Sequence, residues 1–452
     1  PFLLQYFKEY KPDRYVKSKI NNNLQDFNLH VNFKNYKKLE YHRQKARSSP
    51  QLLTTDSSSY VSGVLENNNG MHRVDLRVKG KFGDHHNSLQ PSFRIKVKDG
   101  KTIQGMKNFA LQSPGRRGLL LEWILHKVFK EKDIISLRYN FVNFFLNGEN
   151  LGIYVLEEHF DNETLIENNR KRKGPIIKFY EEGWVKKVRY GFYGKEDKSY
   201  YKSEIKPYKN QGTFTDSSQF INFEYAFNKL QKFRTNEDIH IDQVFDVKIF
   251  AKYLAINDYF GAKHGITDWS DYRLYYNPIT TLFEPIAYDL TDYWAYKFPD
   301  RELIIEVENI PFVSKITSNN LFQQNYIFEL NELVKRNLIK KSIRKYSDEI
   351  SLYTDLIMND NRIYPQFRKP FLESDIFDTT YLYKRHLYIE DVLGQDDLLY
   401  AYLEEINEKS LAVNIGNALS LPVEIAEIKL NDYTIAKSDK KQIINGMKQM
   451  DS

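Results

Sequence analysis

No cysteine occurs among the 452 residues. That absence removes a disulfide framework, a thiolate nucleophile and a Cys-based zinc site together. It leaves the redox compartment open, since a chain without thiols suits either side of a membrane. Long hydrophobic runs are missing too: no apolar stretch approaches the roughly 18 residues that a membrane-spanning helix requires. Neither sign of charge dominates, with 66 basic residues against 60 acidic ones and a net +6. Such a mixture suits a local anionic ligand but gives no footprint for nucleic acid. Internal repeats and low-complexity domains are also lacking.

What is present is aromatic. Tyr 33 and Phe 30 imply many strands and half-exposed clefts. The length suggests two or three domains. Residues 1–60 read as a tether followed by a first strand and helix, the latter in LHVNFKNYKKLEYHRQKAR. The opening PFLLQYFKEYKP is amphipathic and is expected to follow a lost N-terminal anchor.

From residue 61 strand alternation dominates through HRVDLRVKG and SFRIKVKDGKT, the latter holding an Asp-Gly turn. LLLEWILHKVFK (Leu119–Lys130) reads as an apolar helix, and YNFVNFFLNGENLGIYVLEEHF as a hairpin about Asn147-Gly148. The expected fold class is α+β: an antiparallel β-rich N-terminal half (61–183), an insertion rich in Tyr, Lys and Gly (184–215), and a mainly helical half (216–400). Residues 401–452 are expected to form a small β-module. Helices are placed at 220–233, 244–260 with Gly261 as the stop, 318–360 and 380–392.

Chemistry concentrates in Ile256–Trp294, which holds Asp258, His264, Asp268, Asp271, Asp289 and Asp292. Single aspartates usually cap turns and helices. Carboxylates at the ends of adjacent strands, however, can share a divalent cation, which phosphate chemistry needs. YYNPITTLFEPIAYD spells strand, turn, strand and then a carboxylate. That arrangement makes Asp289 a metal-ligand candidate, with its partner one hairpin upstream at Asp271 or Asp268. On the strand FRIKV, Arg94 and Lys96 share the face opposite Phe93 and Ile95. Lys96 opposite a helical carboxylate such as Glu122 can hold a phosphate, although such lysines usually face solvent. Lys79–Gly83 matches neither a Walker A loop nor G-x-G-x-x-G and reads as a turn. The adjacent His85 and His86 lack a third ligand at metal spacing. Of Glu157 and Glu158, alternation turns one inward.

Five ordered segments, MHRVDLRVKG, PSFRIKVKDGKTIQGMKNFALQSP, ISLRYNFVNFFLNGENLGIYVLEEHF, ENNRKRKGPIIKF and YYNPITTLFEPIAYD, together resemble the CotH kinase-like family, named for spore-coat protein H. The resemblance covers roughly residues 32–301, with a weaker continuation to SLPVEI. It implies an atypical protein-kinase-like fold and Mg²⁺-dependent transfer of the ATP γ-phosphate to protein Ser or Thr. The implied partners are nucleotide and an envelope or coat protein, with no nucleic acid. The implied setting is the cell envelope or another extracytoplasmic site, with the cytoplasm left open. By the same resemblance Lys96 would contact the nucleotide and Asp289 the metal; Glu122 and Lys178 are further candidates for the nucleotide. The family usually carries Asn just before its Y-x-Y strand; here that place is Asp271, which can still ligate magnesium. The catalytic base falls on His264 or Asp268, and the choice stays open. If neither is correctly placed, the chain is a nucleotide-binding surface or assembly protein that has lost transfer.

Overall fold

A computed structural model describes residues 24–48, 59–80, 84–87, 89–161, 163–180, 199–208, 217–235, 239–291, 298–307, 312–363, 372–395, 399–407, 411–419, 421–430 and 433–444. Asp292, the opening segment 1–23 and most of the expected insertion lie outside these residues.

Strands β1 (Asp26–His30), β2 (Val61–Asn67), β3 (Gly70–Val78), β4 (Phe93–Val97), β5 (Asn108–Gln112), β7 (Tyr139–Leu146) and β8 (Glu149–Glu158) close into a barrel in the order β1-β2-β3-β4-β5-β8-β7. Alternation drives this, because inward residues such as Leu76, Ile95, Phe109, Phe144 and Leu156 form one buried core. The β7–β8 turn is the expected one: Asn147 and Gly148 both have positive φ, 51° and 85°, as a two-residue hairpin requires.

One expectation needs correction. β1, expected ahead of the antiparallel half, joins its barrel and runs parallel to β7, pairing Phe27 with Phe144 and Leu29 with Leu146. β1 therefore belongs to the same barrel as the strands after residue 61. Alternation fixes which face a strand buries but not which distant strand it joins.

Helix α1 (Phe33–Ser48) follows β1, and α2 (Leu120–Glu131) links β5 to β6 (Ile135–Ser136). α2 is buried along nearly its whole length, so it is a central element between the barrel and the rest. A 5-stranded sheet, β10-β9-β11-β12-β6, forms the second layer. It contains β9 (Ile176–Tyr180), β10 (Glu204–Pro207), β11 (Arg273–Tyr276) and β12 (Phe283–Ala287). One face packs Ile177, Phe179, Leu274 and Phe283 against the helices. The other carries Ile176, Tyr275 and Ile286 into a smaller core with Phe160.

The helices follow the expected order: α3 (Ser217–Arg234), α4 (Val247–Phe260), α5 (His264–Thr267), α6 (Asn320–Lys335), α7 (Leu338–Lys345), α8 (Ser347–Met358) and α9 (Thr379–Gly394). Gly261 ends α4 at φ 70° in the left-handed region. The run expected at 318–360 is three helices, broken at Asn337 (φ 44°) and Tyr346. Two separate 2-stranded hairpins, β13–β14 (Leu399–Ile406, Leu411–Asn417) and β15–β16 (Val423–Leu430, Tyr433–Ile444), lie in the stretch read from sequence as β. No helix among the described residues is long and apolar enough to cross a membrane.

Because Leu29 is fully buried in the barrel, Leu29→Ala should cost about 2–5 kcal/mol in urea unfolding. A loss below about 0.5 kcal/mol, as expected for an exposed surface change, would show that β1 is not seated there.

Candidate active site

The β11–β12 hairpin pairs Tyr276 with Phe283 and Leu274 with Pro285. This register brings the residues before β11 and those after β12 to one end of the sheet. Asp271 stands at the first position and Asp289 at the second. His264 joins them from α5, with Nε2 3.9 Å from an Asp271 oxygen and 3.7 Å from an Asp289 oxygen. Ligand atoms of all three lie within 4.8 Å of one another.

The convergence depends on Gly265. A Cβ there would come within 2.6 Å of the Tyr288 carbonyl oxygen and 2.7 Å of that of Asp289. Only glycine lets α5 approach the strand end so closely. Asp258, in the same stretch, has another duty. Buried in α4, it accepts from the Ile304 amide (3.0 Å) and the Tyr326 hydroxyl (2.6 Å), with Lys263 Nζ at 3.3 Å. It braces the end of the helix.

Facing this cluster is the outer surface of the barrel. Register places Arg77 opposite Arg94, Arg94 opposite Ala110, Ala110 opposite Glu157 and Glu157 opposite Tyr139. Cross-strand neighbours share a face, so these side chains form a row, and the small Ala110 leaves room between Arg94 and Glu157. Lys79, just past β3, is 6 % exposed. It donates to Glu157 at 2.9 Å and to the Gln112 side-chain oxygen. Arg117 lies 3.5 Å from Glu157 by its Nε and contacts Asp289 through Nη1. A continuous chain of ion pairs thus runs from Lys79 on the barrel to Asp289 on the second sheet.

Cations outweigh carboxylates here. Burial, together with the charges of Arg94, Lys79, Arg77 and Arg273, holds the His159 imidazole well below its ordinary value. Arg94 is buried, and its Nε and Nη1 have no hydrogen-bond partner among the described residues. Such donors are costly to bury unless something accepts from them. The Tyr288 and Phe160 rings lie beneath Arg273, at 5.2 and 5.5 Å from its guanidinium. The arrangement is a buried cationic cluster beside aromatic rings, with a carboxylate–imidazole group at one end.

Burial pulls the Lys79 ammonium down to about 7; Glu157 opposes this, while Arg117 and Arg94 add to it. Burial alone would raise Glu157, but Lys79 and Arg117 outweigh it and hold the carboxyl down to about 2.

A family model for CotH kinase protein matches residues 76–375. The chain belongs to the CotH kinase protein family. No curated protein matches it.

Of the residues singled out in this CotH chain, the structure brings together Asp271, Asp289 and His264. Asp268 is not in the group: its Oδ1 accepts from the Ser270 amide at 2.7 Å and shapes the turn into β11. Lys96 is exposed on the barrel, with Nζ 4.1 Å over the Tyr60 ring. The expected pairing of Lys96 with Glu122 is therefore not formed. Instead Glu122 accepts from the amides of Leu290 (3.2 Å) and Thr291 (2.9 Å). Lys178 lies on β9, its Nζ 5.2 Å over Tyr208, and pairs in register with Arg273. As alternation implies, Glu158 shares the inner face of the barrel with its partner Phe109 and Glu157 shares the outer face with Ala110, and both are buried. Glu158 takes Arg138 Nε at 3.0 Å.

Sequence reasoning missed Lys79, Arg117 and Glu157 as a unit. A lysine directly after an alternating strand and an acid pair at a hairpin end were both visible, but nothing local joins them.

Since the folded Glu157 carboxyl lies below its ordinary 4.5, it contributes stability that is present above that pH and lost as pH falls through about 2. The shift corresponds to about 3 kcal/mol. Comparing Glu157→Gln with the parent by urea unfolding should show a gap that is full at pH 6 and narrows steadily below pH 4.5. A gap independent of pH would contradict the ion-pair assignment.

Proposed function

We propose that this chain is a CotH-type protein kinase that transfers the γ-phosphate of ATP to Ser or Thr hydroxyls of an envelope or coat protein, within an atypical protein-kinase-like fold. The observation that carries this reading is the convergence of Asp271, Asp289 and His264 beside the buried cations Lys79, Arg94 and Arg117. Two carboxylates with closely spaced oxygens suit Mg²⁺, a hard cation that takes oxygen ligands. When bound, Mg²⁺ supplies charge neutralisation for the phosphoryl oxygens.

The chain's own groups do the rest in this reading. Lys79 and Arg117 donate to phosphate oxygens, and a phosphate beside Lys79 restores the charge that burial weakens. Arg94, with its unpaired donors, takes a further oxygen of the same phosphate chain. His264, the most exposed member of its cluster at 40 % for the side chain, accepts the hydroxyl proton of the acceptor. Positioning and preset charge supply most of the rate.

A second reading is a nucleotide-binding surface or assembly protein without transfer. One observation favours it: Asp268 is committed to Ser270, and His264 already lies against both metal-facing carboxylates. A histidine that ligates cannot also serve as base.

With radiolabelled ATP, Mg²⁺ and an envelope-protein extract, the parent chain should label Ser or Thr. Asp289→Ala should lower labelling by more than about 100-fold with an unchanged circular dichroism spectrum. Full labelling by that variant would rule out its role. Mg-ATP binding with no label in any acceptor would establish the second reading.

A further inference from the structure

We infer that Glu122 is a positioning residue that sets the direction of the Asp289 carboxylate, acting through the two amides that follow it. This rests on the reading of Asp289 as a cation ligand. Asp289 has φ 53°, in the left-handed region that side chains other than glycine seldom occupy. Backbone in that region persists where its surroundings over-determine it. The surroundings here are specific: one carboxylate receives the Leu290 amide at 3.2 Å, the Thr291 amide at 2.9 Å and the Thr291 hydroxyl at 2.8 Å. With two successive amides fixed, the peptide plane after Asp289 cannot rotate, and the side chain stays aimed at His264 and Asp271.

Glu122 is itself rigidly seated. It is fully buried in the first turn of α2. His126 lies one turn on, with Nε2 at 3.4 Å from Glu122, and stacks on Tyr139 at 5.1 Å. Among the described residues His126 is the only ion-pair partner of Glu122. The hydrogen-bond donors to this buried carboxylate among the described residues all belong to the segment after Asp289, so the group it fixes is that segment. Glu122 does not reach the ligand; it orients the residue that does, as outer-shell groups orient metal ligands.

The test measures Mn²⁺ binding to the full chain by electron paramagnetic resonance of free Mn²⁺, beside thermal melting. Glu122→Gln keeps the shape but turns a donor toward the donors at 290 and 291. It should weaken Mn²⁺ binding by about 10–100-fold while the chain still melts cooperatively. Thr291→Val removes only the hydroxyl bond and should weaken binding by a smaller factor. Wild-type affinity in a folded Glu122→Gln protein overturns the inference. If that variant does not fold, Thr291→Val decides, and unchanged affinity there overturns it. Absence of Mn²⁺ binding by the parent, or its survival in Asp289→Asn, overturns the ligand reading and this inference together, which separates the two failures.

Discussion

The buried carboxylate of Glu157 joins the two layers of the molecule. It projects from the outer face of the barrel, where an unpaired charge would be untenable, and is answered by Lys79 just past β3 and Arg117 from the turn before α2. Arg117 then carries the chain of charge across to Asp289. Removing one partner from a buried ion pair typically costs about 3–5 kcal/mol, because the other charge is left stranded. The layers are therefore joined through the same buried charged groups that lie beside the Asp289 cluster.

The strand end at Asp289 is defined from three sides. Gly265 lets α5 close on its backbone, Arg117 lies against its carboxylate, and Glu122 holds the two amides beyond it. Of the elements meeting there, α5 and β12 are near neighbours in sequence, while α2 is far from both. A left-handed aspartate held this way is a local strain that the fold fixes in place, and such strain gathers where a side chain has to be aimed.

Much of this was legible in the sequence wherever the determinant is local. Asn147-Gly148 announces its hairpin through positive φ, Gly261 announces a helix stop, and the strand–turn–strand pattern before Asp289 places Asp271 at the same sheet end. The lysine was not legible. Alternation correctly puts Arg94 and Lys96 on the outer face of β4, but whether that face is covered depends on the second sheet, which buries Arg94 and leaves Lys96 in solvent. Lys79 reads as a turn residue until Glu157, a distant partner on β8, is folded against it. Likewise, nothing local joins Glu122 to Thr291. Membership of the CotH kinase protein family supplies the direction of the functional reading, while the identity of the groups gathered around Asp289 comes from the geometry.

The most direct measurement is anomalous diffraction from crystals holding Mn²⁺ and a non-hydrolysable ATP analogue. The expected result is a manganese peak within coordinating distance of the Asp271 and Asp289 carboxylates, with phosphate density against Lys79. Manganese elsewhere, or a phosphate chain bound on the Lys96 side of the barrel, would contradict the account.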